Sequence, residues 1–322
     1  MNSASPLVSV IIPTYNRAGI ICETIDNVFQ QTYTNIEVIV IDDGSKDDTL
    51  ARLRSYGNRI RVISQANAGP AAARNRGIEV SSGDIITFQD SDDLWKPSKL
   101  ERQVRMLAAV DSSVPCCLCN ADFGTIDGKQ WTSFDISQIN TEYSEGLWIN
   151  VTEVLATRFV LFNQTVAIRR KAIEKVGIFD ETLKYLEDYD LPLRLAAEGP
   201  WAYIQEPLVI YREGTPNSFS QQALRDPMVL KECEITIFER AMERAVRLDD
   251  AKARWQIEFR LNAFKRILRA KKLSHSGSAS ARVVARLMDQ LERYKSIAFR
   301  KSPWFPKAKT VPLDRSSMPL SR

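Results

Sequence analysis

Four short runs of strand-forming residues, each ending in polar or acidic residues and each followed by a helical stretch, leave this chain few folds to choose from. The first, Val8-Ser9-Val10-Ile11-Ile12-Pro13, is almost wholly apolar, as expected of a parallel strand covered on both faces. It breaks at Pro13-Thr14-Tyr15-Asn16-Arg17, after which Ile20, Ile21, Ile25 and Val28 follow at helical spacing. The second, Ile36 to Ile41, closes in Asp42-Asp43-Gly44-Ser45, and Lys46 to Thr49 opens a helix with Leu50 and Leu53 on its inner face. The third, Ile60-Arg61-Val62-Ile63, leads through Asn67-Ala68-Gly69-Pro70 into the helix Ala71 to Gly77. The fourth, Gly83 to Phe88, is a turn signal followed by β-branched and aromatic residues, and it ends in Asp90-Ser91-Asp92-Asp93. With no hairpin signal among them, these units predict right-handed βαβ crossovers and a parallel sheet, with ligands gathering beyond the carboxyl ends of the strands.

Three carboxylates within four positions repel one another and resist desolvation, so a cation is expected beside Asp90, Asp92 and Asp93. Hard oxygen ligands suit Mg²⁺ or Mn²⁺, and Mg²⁺ is typically held by one or two carboxylates plus substrate phosphates. On these residues alone a second reading is equally open: a solvated turn capping the helix that Pro97 begins. The Asp-Asp-Gly-Ser turn offers acceptors for a base N–H or a ribose hydroxyl, and Arg74, one turn into a helix, suits a phosphate or carboxylate through its planar fork. Thr14, Asn16 and Asp42 read first as turn formers. Gly-x-Gly-x-x-Gly after the first strand and a Walker-type Gly-Lys-Ser/Thr are both missing, so neither a dinucleotide cofactor nor an NTPase is indicated.

The bulk numbers set the class. A 322-residue chain with 44 % hydrophobic and 26 % charged residues is an ordinary globular protein, with no apolar stretch of the roughly 18 residues needed to span a bilayer. No signal peptide is read at Met1 to Leu7, so a cytoplasmic location is expected. Cys116-Cys117-Leu118-Cys119 has no second Cys/His pair, and small buried thiols in a strand explain it better than zinc. Residues 251–322 hold 18 Lys and Arg against 4 Asp and Glu, a net +14 in a chain whose total is +4. A body followed by a basic extension is predicted.

Taken in order and spacing, Val8 to Arg17, Ile41 to Ser45, Asn67 to Gly77 and Asp90-Ser91-Asp92-Asp93 resemble the family 2 glycosyltransferases over residues 6–220. The resemblance implies an α/β GT-A fold, Rossmann-like with a mostly parallel central sheet, and inverting transfer of a sugar from a nucleotide-diphosphate donor, with a UDP-sugar as the expectation. It implies that Pro13, Tyr15 and Arg17 line the nucleotide pocket, that Asp43 recognises the base, and that Arg74 lies near the base and phosphates. In Asp90-Ser91-Asp92, similar to the family's Asp-x-Asp motif, Asp90 and Ser91 would lie on the nucleotide-sugar side, and Asp92 would bind Mn²⁺ or Mg²⁺. Asp93, at the start of the next helix, keeps the capping reading.

Trp95-Lys96-Pro97 leads into a helix with Leu100, Val104 and Leu107 facing the core, and residues 116–160 read as irregular acceptor-side loops. Gln164 to Arg170 alternates as a strand before the helix Lys171 to Val176. Glu187, Asp188 and Asp190 crowd a helix start, where the macrodipole favours negative charge, and Pro192 is expected in the first turn. The resemblance makes Asp188 the general base and Glu187 an acceptor-side neighbour, and Trp95 and Arg212 are further candidates for acceptor or diphosphate contact. Tyr203-Ile204 and Leu208 to Arg212 read as two short strands around Pro207. The loop Glu213 to Ser220 has no His where the family often carries one near the metal or diphosphate, which leaves that contact open.

These readings divide the chain into a transferase domain over 1–225 (nucleotide half about 6–110, acceptor half about 111–225), a helical extension over 226–300, and a basic tail over 301–322 without fixed structure. A linker is read at Ser274 to Ser280 and a second helix from Val284 to Ala298. The extension packs back on its own domain, mediates a homodimer, or brings the protein to the inner face of a membrane through its charge and Trp304 and Phe305. Nucleic acid is not expected, for want of a reader motif. The acceptor is read as a saccharide or lipid-linked hydroxyl. The competing functions are a sugar nucleotidyltransferase, which would need a Gly-rich triphosphate loop after the first strand, and a non-catalytic binding protein on the same fold.

Overall fold

The computed structural model describes residues 5–126, 128–212, 225–275 and 305–313, with Val283, Leu287, Met288, Gln290, Arg300 and Lys301 besides. Strands β1 (Val8–Thr14), β2 (Ile36–Asp42), β3 (Arg61–Ser64) and β4 (Ile85–Phe88) alternate with helices α1 (Ile21–Phe29), α2 (Thr49–Arg54) and α3 (Pro70–Val80). β1 pairs in parallel with β2 and β4, and β2 with β3, as the alternation predicts. The two-residue period of a strand explains the layers. Val8, Val10 and Ile12 face a core shared with Ile21, Ile25 and Val28 of α1, whereas Ile11 faces a second core with Ala71 and Ile78 of α3. Both faces of β1 are therefore dry, which is why the run carries almost no polar residue.

Beyond β4 the sheet continues through β9 (Val166–Arg169), β6 (Cys116–Ile126), β10 (Trp201–Ile210), β8 (Glu145–Trp148) and β11 (Thr310–Pro312). β9 is antiparallel to both β4 and β6, and β10 is parallel to β6. Two reversals restore the original direction. The carboxyl ends of β1, β2, β3, β4, β6 and β10 therefore open on one common edge of the sheet. Cys116, Cys117 and Cys119 are fully buried core residues of β6.

Helix α4 (Lys99–Ala109) puts Leu100, Val104 and Leu107 into the α1 core, as their spacing predicts, but begins two residues after Pro97. Between Asp93 and that helix lies β5 (Leu94–Trp95), antiparallel to β10, so Asp93 precedes a strand rather than capping a helix. Trp95 is 1 % exposed, and the buried Lys99 ammonium lies 3.8 Å from its ring centre while donating to Gln103 Oε1 at 2.9 Å. Burial pushes the Lys99 ammonium down to about 8.

Four expectations are corrected. Residues 116–160 are regular: β6, β7 (Lys129–Thr132), α5 (Ser133–Ile136), β8 and α6 (Val151–Leu155) occupy most of the segment. Polar Asn120 interrupts the pattern of β6, yet its side-chain oxygen accepts from Ser133 Oγ and the Phe134 amide, so it is buried at little cost. The stretch around Pro207 is one strand, β10, because its register against β6 shifts on both sides of Pro207, where the absent N–H is not needed. Pro192 lies in the second turn of α8 (Glu187–Ala196) rather than the first. Lastly, residues 310–312 of the tail form β11 on β8. Gly146 makes room for it, since a Cβ there would stand 2.3 Å from the Val311 carbonyl oxygen, and Asn150 holds the Lys309 amide and the Lys307 carbonyl.

The extension forms an antiparallel pair, α9 (Pro227–Arg247) and α10 (Ala251–His275). Phe238 of α9 meets Phe264 of α10 and Tyr189 of α8, and Ile237, Phe238 and Ala241 join the core that holds α7 (Arg170–Val176) and α8. Part of the basic charge is answered here, as Lys265 pairs with Glu239 and Lys272 with Glu232. α10 runs through Ser274 and His275, while the rest of the predicted linker, most of the predicted helix from Val284 to Ala298, Trp304 and the loop Glu213 to Ser220 lie outside the described residues.

One contact carries a direct test. A Cβ on Gly77 would sit 2.3 Å from Ile11 Cγ2, and Ile11 is fully buried with a stiff β-branched rotamer. Gly77→Ala is expected to cost about 1–3 kcal/mol by overpacking, measured by denaturant unfolding. In the Gly77→Ala, Ile11→Ala double variant the two costs should fall short of adding. Strict additivity would disprove the close α3–β1 approach.

Candidate active site

At the end of β1 the chain turns on Asn16, which adopts φ +52°. Its side chain accepts from the Lys46 amide at 2.8 Å, and its own amide donates to Ser45 Oγ at 2.9 Å. Asn16 thus ties the first strand end to the second. Tyr15 is left 40 % exposed on the edge, and Arg17 reaches back to Asp92 with 3.6 Å between Nη2 and Oδ2.

Asp43, at the end of β2, is buried and shapes the loop after β3. Its Oδ1 accepts from Gln65 Nε2 and the Ala68 amide, and its Oδ2 from the Gly69 amide, at 2.8–2.9 Å. A carboxylate offers about four acceptor positions, so one on Oδ2 is left for an incoming N–H. Gly44 has φ +78°, and a Cβ there would stand 2.9 Å from the Asn67 amide nitrogen, so the turn requires glycine.

Arg74 of α3 is buried between two carboxylates: Nη2 donates to Asp90 Oδ1 and Nη1 to Glu187 Oε1, each at 2.9 Å. Its guanidinium also lies 5.6 Å from the centre of the Phe179 ring, and the side-chain oxygen of Asn163 approaches it at 3.2 Å in the satisfied amide orientation. Burial alone would favour the neutral form. The charges of Asp90 and Glu187 outweigh it and hold the group cationic.

The three acids after β4 diverge. Asp90 turns to Arg74, Asp92 faces Arg17, and Asp93 enters the core, where the Arg212 amide and Gln164 Nε2 donate to it at 2.9 and 2.7 Å. Burial, with Asp90 beside it, pushes the Asp93 carboxyl up to about 8. Ser91 is buried, and its carbonyl accepts from Thr24 Oγ1. Asp93, Asn163 and Gln164 are the members of this region that sequence reasoning missed. The signal was there: Asn163-Gln164-Thr165 are three polar residues, all buried, ahead of an apolar strand.

Glu187 and Asp188 open α8, whose entry residue Leu186 takes φ +66°. Glu187 is spent on Arg74, whereas Asp188 sits deep among its neighbours with part of its surface still open. Burial and the charge of Glu187 push the Asp188 carboxyl up to about 8, against the pull of Arg74. Asp190 belongs to the framework, accepting from Arg194 Nε at 2.8 Å. Trp95 lies in the core and does not open onto the edge, whereas the Arg212 guanidinium pairs with Glu23, stays partly exposed and lies close enough to Asp92 and Asp93 to feel their charge. Pro13 continues β1 in register with Ile41.

Among the described residues at this edge, Asp90, Asp92, Asp93, Glu187 and Asp188 face the guanidiniums of Arg17 and Arg74, with that of Arg212, itself paired to Glu23, near Asp92 and Asp93. Among the described residues no three Asp, Glu, His or Cys side chains gather closely enough to hold a metal by themselves. The excess of hard oxygen donors therefore fits a divalent cation that takes the rest of its ligands from a phosphate-bearing substrate.

The family model described as glycosyl transferase family 2 matches residues 9–177. An uncharacterized glycosyltransferase of Rickettsia typhi is 37 % identical over 190 residues, covering 59 % of this chain and 58 % of that relative's length. The uncharacterized glycosyltransferase EpsJ of Bacillus subtilis is 30 % identical over 221 residues, 67 % of this chain and 63 % of its own. The chain thus matches less than two thirds of the length of these relatives. Among solved structures, S. aureus TarS 1-349 in complex with UDP-GlcNAc superposes with a TM-score of 0.62 at 18 % identity, over 93 % of this chain and 81 % of that one. The mannosyltransferase PcManGT of Pyrobaculum calidifontis, with GDP-Man and Mn²⁺, superposes with a TM-score of 0.53 at 19 % identity, over 92 % and 84 %. The fold is GT-A-like, and this chain belongs to glycosyl transferase family 2.

Proposed function

We propose that the chain is an inverting glycosyltransferase that moves a sugar from a nucleotide-diphosphate donor to an acceptor hydroxyl. What carries the reading is the shared strand edge, where among the described residues carboxylates outnumber guanidiniums and one acid, Asp188, has no paired cation of its own. In this reading Pro13, Tyr15 and Arg17 line the nucleotide pocket, and the remaining acceptor position of Asp43 takes a base N–H. Asp90 and Ser91 lie on the ribose side, with Asp90 kept in place by Arg74. Asp92 and the donor's diphosphate oxygens would hold Mn²⁺ or Mg²⁺, which supplies positive charge for the leaving nucleotide diphosphate. Asp188 removes the proton from the acceptor hydroxyl as its oxygen bonds to the anomeric carbon and the bond to the diphosphate breaks on the opposite face. Glu187 keeps Arg74 and the start of α8 in register.

The donor is proposed as a UDP-sugar. TarS was solved with UDP-GlcNAc and PcManGT with GDP-Man, which supports the nucleotide-diphosphate-sugar class while showing that the fold accepts more than one base. Asp92→Asn is expected to lower transfer about 100-fold or more, and Asp188→Asn by 10²–10⁴-fold with donor binding retained, in an assay across nucleotide sugars with and without Mn²⁺. Unchanged transfer in both would remove the site assignment.

The Asp188 carboxyl gives a second test. At about 8 in the folded chain and 3.8 when unfolded, it binds more protons folded than unfolded between those values. Stability from this group is thus lost as pH rises from about 4 to 8. Asp188→Asn should unfold later than wild type at pH 8, by about 1 kcal/mol or more, and the gap should close at pH 4. For the wild type, kcat/KM should climb with pH and level off above about 8. A flat profile would mean that another group takes the proton.

Location is part of the same proposal. Among the described residues no helix is long and apolar enough to cross a membrane. The basic segment after residue 251 would hold a cytoplasmic enzyme at an anionic membrane face. The full chain should sediment with vesicles containing phosphatidylglycerol and not with phosphatidylcholine vesicles. Equal behaviour with both would end the idea, leaving α9 and α10 as packing or dimer elements.

A further inference from the structure

A cavity of about 280 Å³ opens beside β6 and α5, walled by Phe123, Phe159, Leu161 and Phe305 and by three arginines, Arg158, Arg260 and Arg300. No carboxylate is among the described residues that line it. Arg158 spends its donors on neutral oxygens, giving Nη1 to the Gln138 carbonyl at 2.9 Å and Nη2 to the Pro306 carbonyl, while its guanidinium lies 3.9 Å from the centre of the Phe305 ring. Arg260 stacks 4.7 Å from the Phe264 ring centre, and its buried Nε meets no hydrogen-bond acceptor among the described residues. Arg300 is exposed at the mouth. Burial, with Arg300 and Arg260 nearby, pulls the Arg158 guanidinium down to about 10, as expected where like charges share one space.

Ring contacts and chain continuity connect this cavity to the candidate active site. Phe123 lies near the carboxyl end of β6, the edge that also carries Asp90 and Asp92, and its ring stacks on Tyr211 at 4.5 Å. Tyr211 precedes Arg212, whose amide holds Asp93. Phe159 meets Tyr189, next to Asp188, with ring centres 5.6 Å apart. The segment that supplies Thr157, Arg158, Phe159 and Leu161 to the cavity continues at once into Asn163 and Gln164, which touch Arg74 and Asp93.

We propose that the Arg158–Arg260–Arg300 cavity binds the phosphate of a phosphorylated acceptor, with the aromatic wall covering the apolar or sugar portion next to it. Three guanidiniums without a carboxylate match a phosphate or diphosphate ester, whose oxygens accept from planar forks. A neutral saccharide would leave three cations crowded and unanswered. The inference rests on the transferase reading, in which an acceptor is the substrate left to fill a cavity joined to the start of α8 through Phe159 and Tyr189. The phosphate has two sources, a soluble sugar phosphate or a lipid-borne one.

The test uses the full chain and two probes, glucose 1-phosphate and octyl phosphate, titrated calorimetrically with the donor half filled by UDP and Mg²⁺. Arg158 also holds backbone carbonyls, so the informative variant is Arg260→Gln, Arg300→Gln, which leaves those carbonyl contacts in place. At least one probe should bind wild type, and the double variant should bind it at least about tenfold more weakly. UDP affinity, titrated separately, should stay the same. Preference for octyl phosphate assigns a lipid-borne acceptor, and preference for glucose 1-phosphate a soluble one. Binding of neither probe, or equal binding by wild type and variant, overturns the cavity's role. Failure of UDP itself to bind would instead strike the donor reading, and the probe titrations would still report on the cavity.

Discussion

The buried guanidinium of Arg74 is the joint on which the two halves of the molecule depend. It issues from α3 and holds Asp90 at the end of β4 with one nitrogen and Glu187 at the start of α8 with the other. Placing a cation there costs several kcal/mol of hydration, and two carboxylates at 2.9 Å offset it only because all three groups are fixed in a good geometry. Removing Arg74 would leave the Asp90 and Glu187 carboxylates without the cation between them. The arrangement therefore specifies distance: the acid that would meet the donor and the helix that would meet the acceptor are tied to the same side chain. Asn75, one residue on, repeats the tie, since its amide grips the Phe179 backbone at both its carbonyl and its N–H.

That clamp also explains why neighbouring acids differ. Asp90 and Glu187 lie against a permanent cation, whereas Asp93 and Asp188 are buried beside those carboxylates without a paired cation among the described residues. Burial first, and the neighbouring negative charge second, raise their carboxyls to about 8, against the pull of Arg74 at Asp188. For Asp93, the Arg212 backbone amide and the Gln164 side-chain amide make the buried carboxyl a structural link between the β4 end, the end of β10 and the start of β9. For Asp188 no such anchoring exists among the described contacts, and the raised value describes a proton acceptor of unusual strength for a carboxylate. Similar numbers thus arise at two acids with different surroundings.

How much of this was legible in sequence follows from the physics of each part. The β1–β4 half was, because a strand buried on both faces must be apolar, and Val8 to Ile12 and Ile36 to Ile41 have no other good use. The tip residues were legible as a set for the same topological reason. What escaped were interactions made between distant segments. β11 exists because Gly146 leaves space and Asn150 captures two backbone groups, neither of which marks residues 310–312 as a strand. Asp93 reads like Asp90 and Asp92 in the sequence, and only its burial against Gln164 and the Arg212 amide separates them. Pro192 sits a turn deeper in α8 than its chemistry favours, in a helix whose start is fixed by the Glu187–Arg74 pair rather than by its own capping.

The reversal of the sheet at β9 is where these strands of argument meet. In an open sheet the crevice beyond the strand ends is deepest where strand order or direction changes. β9 is antiparallel to both of its neighbours, so its amino end, preceded by Asn163-Gln164-Thr165, lies on the edge occupied elsewhere by carboxyl ends. A chain entering the sheet at that point must cross the edge between the β4 tip and the β6 tip. It therefore contributes side chains to both sides, Asn163 and Gln164 toward Arg74 and Asp93, and Arg158 and Phe159 toward the cavity next to β6. The acidic tips and the arginine-lined cavity are thus joined by one short crossing segment, from Arg158 to Gln164, that touches both.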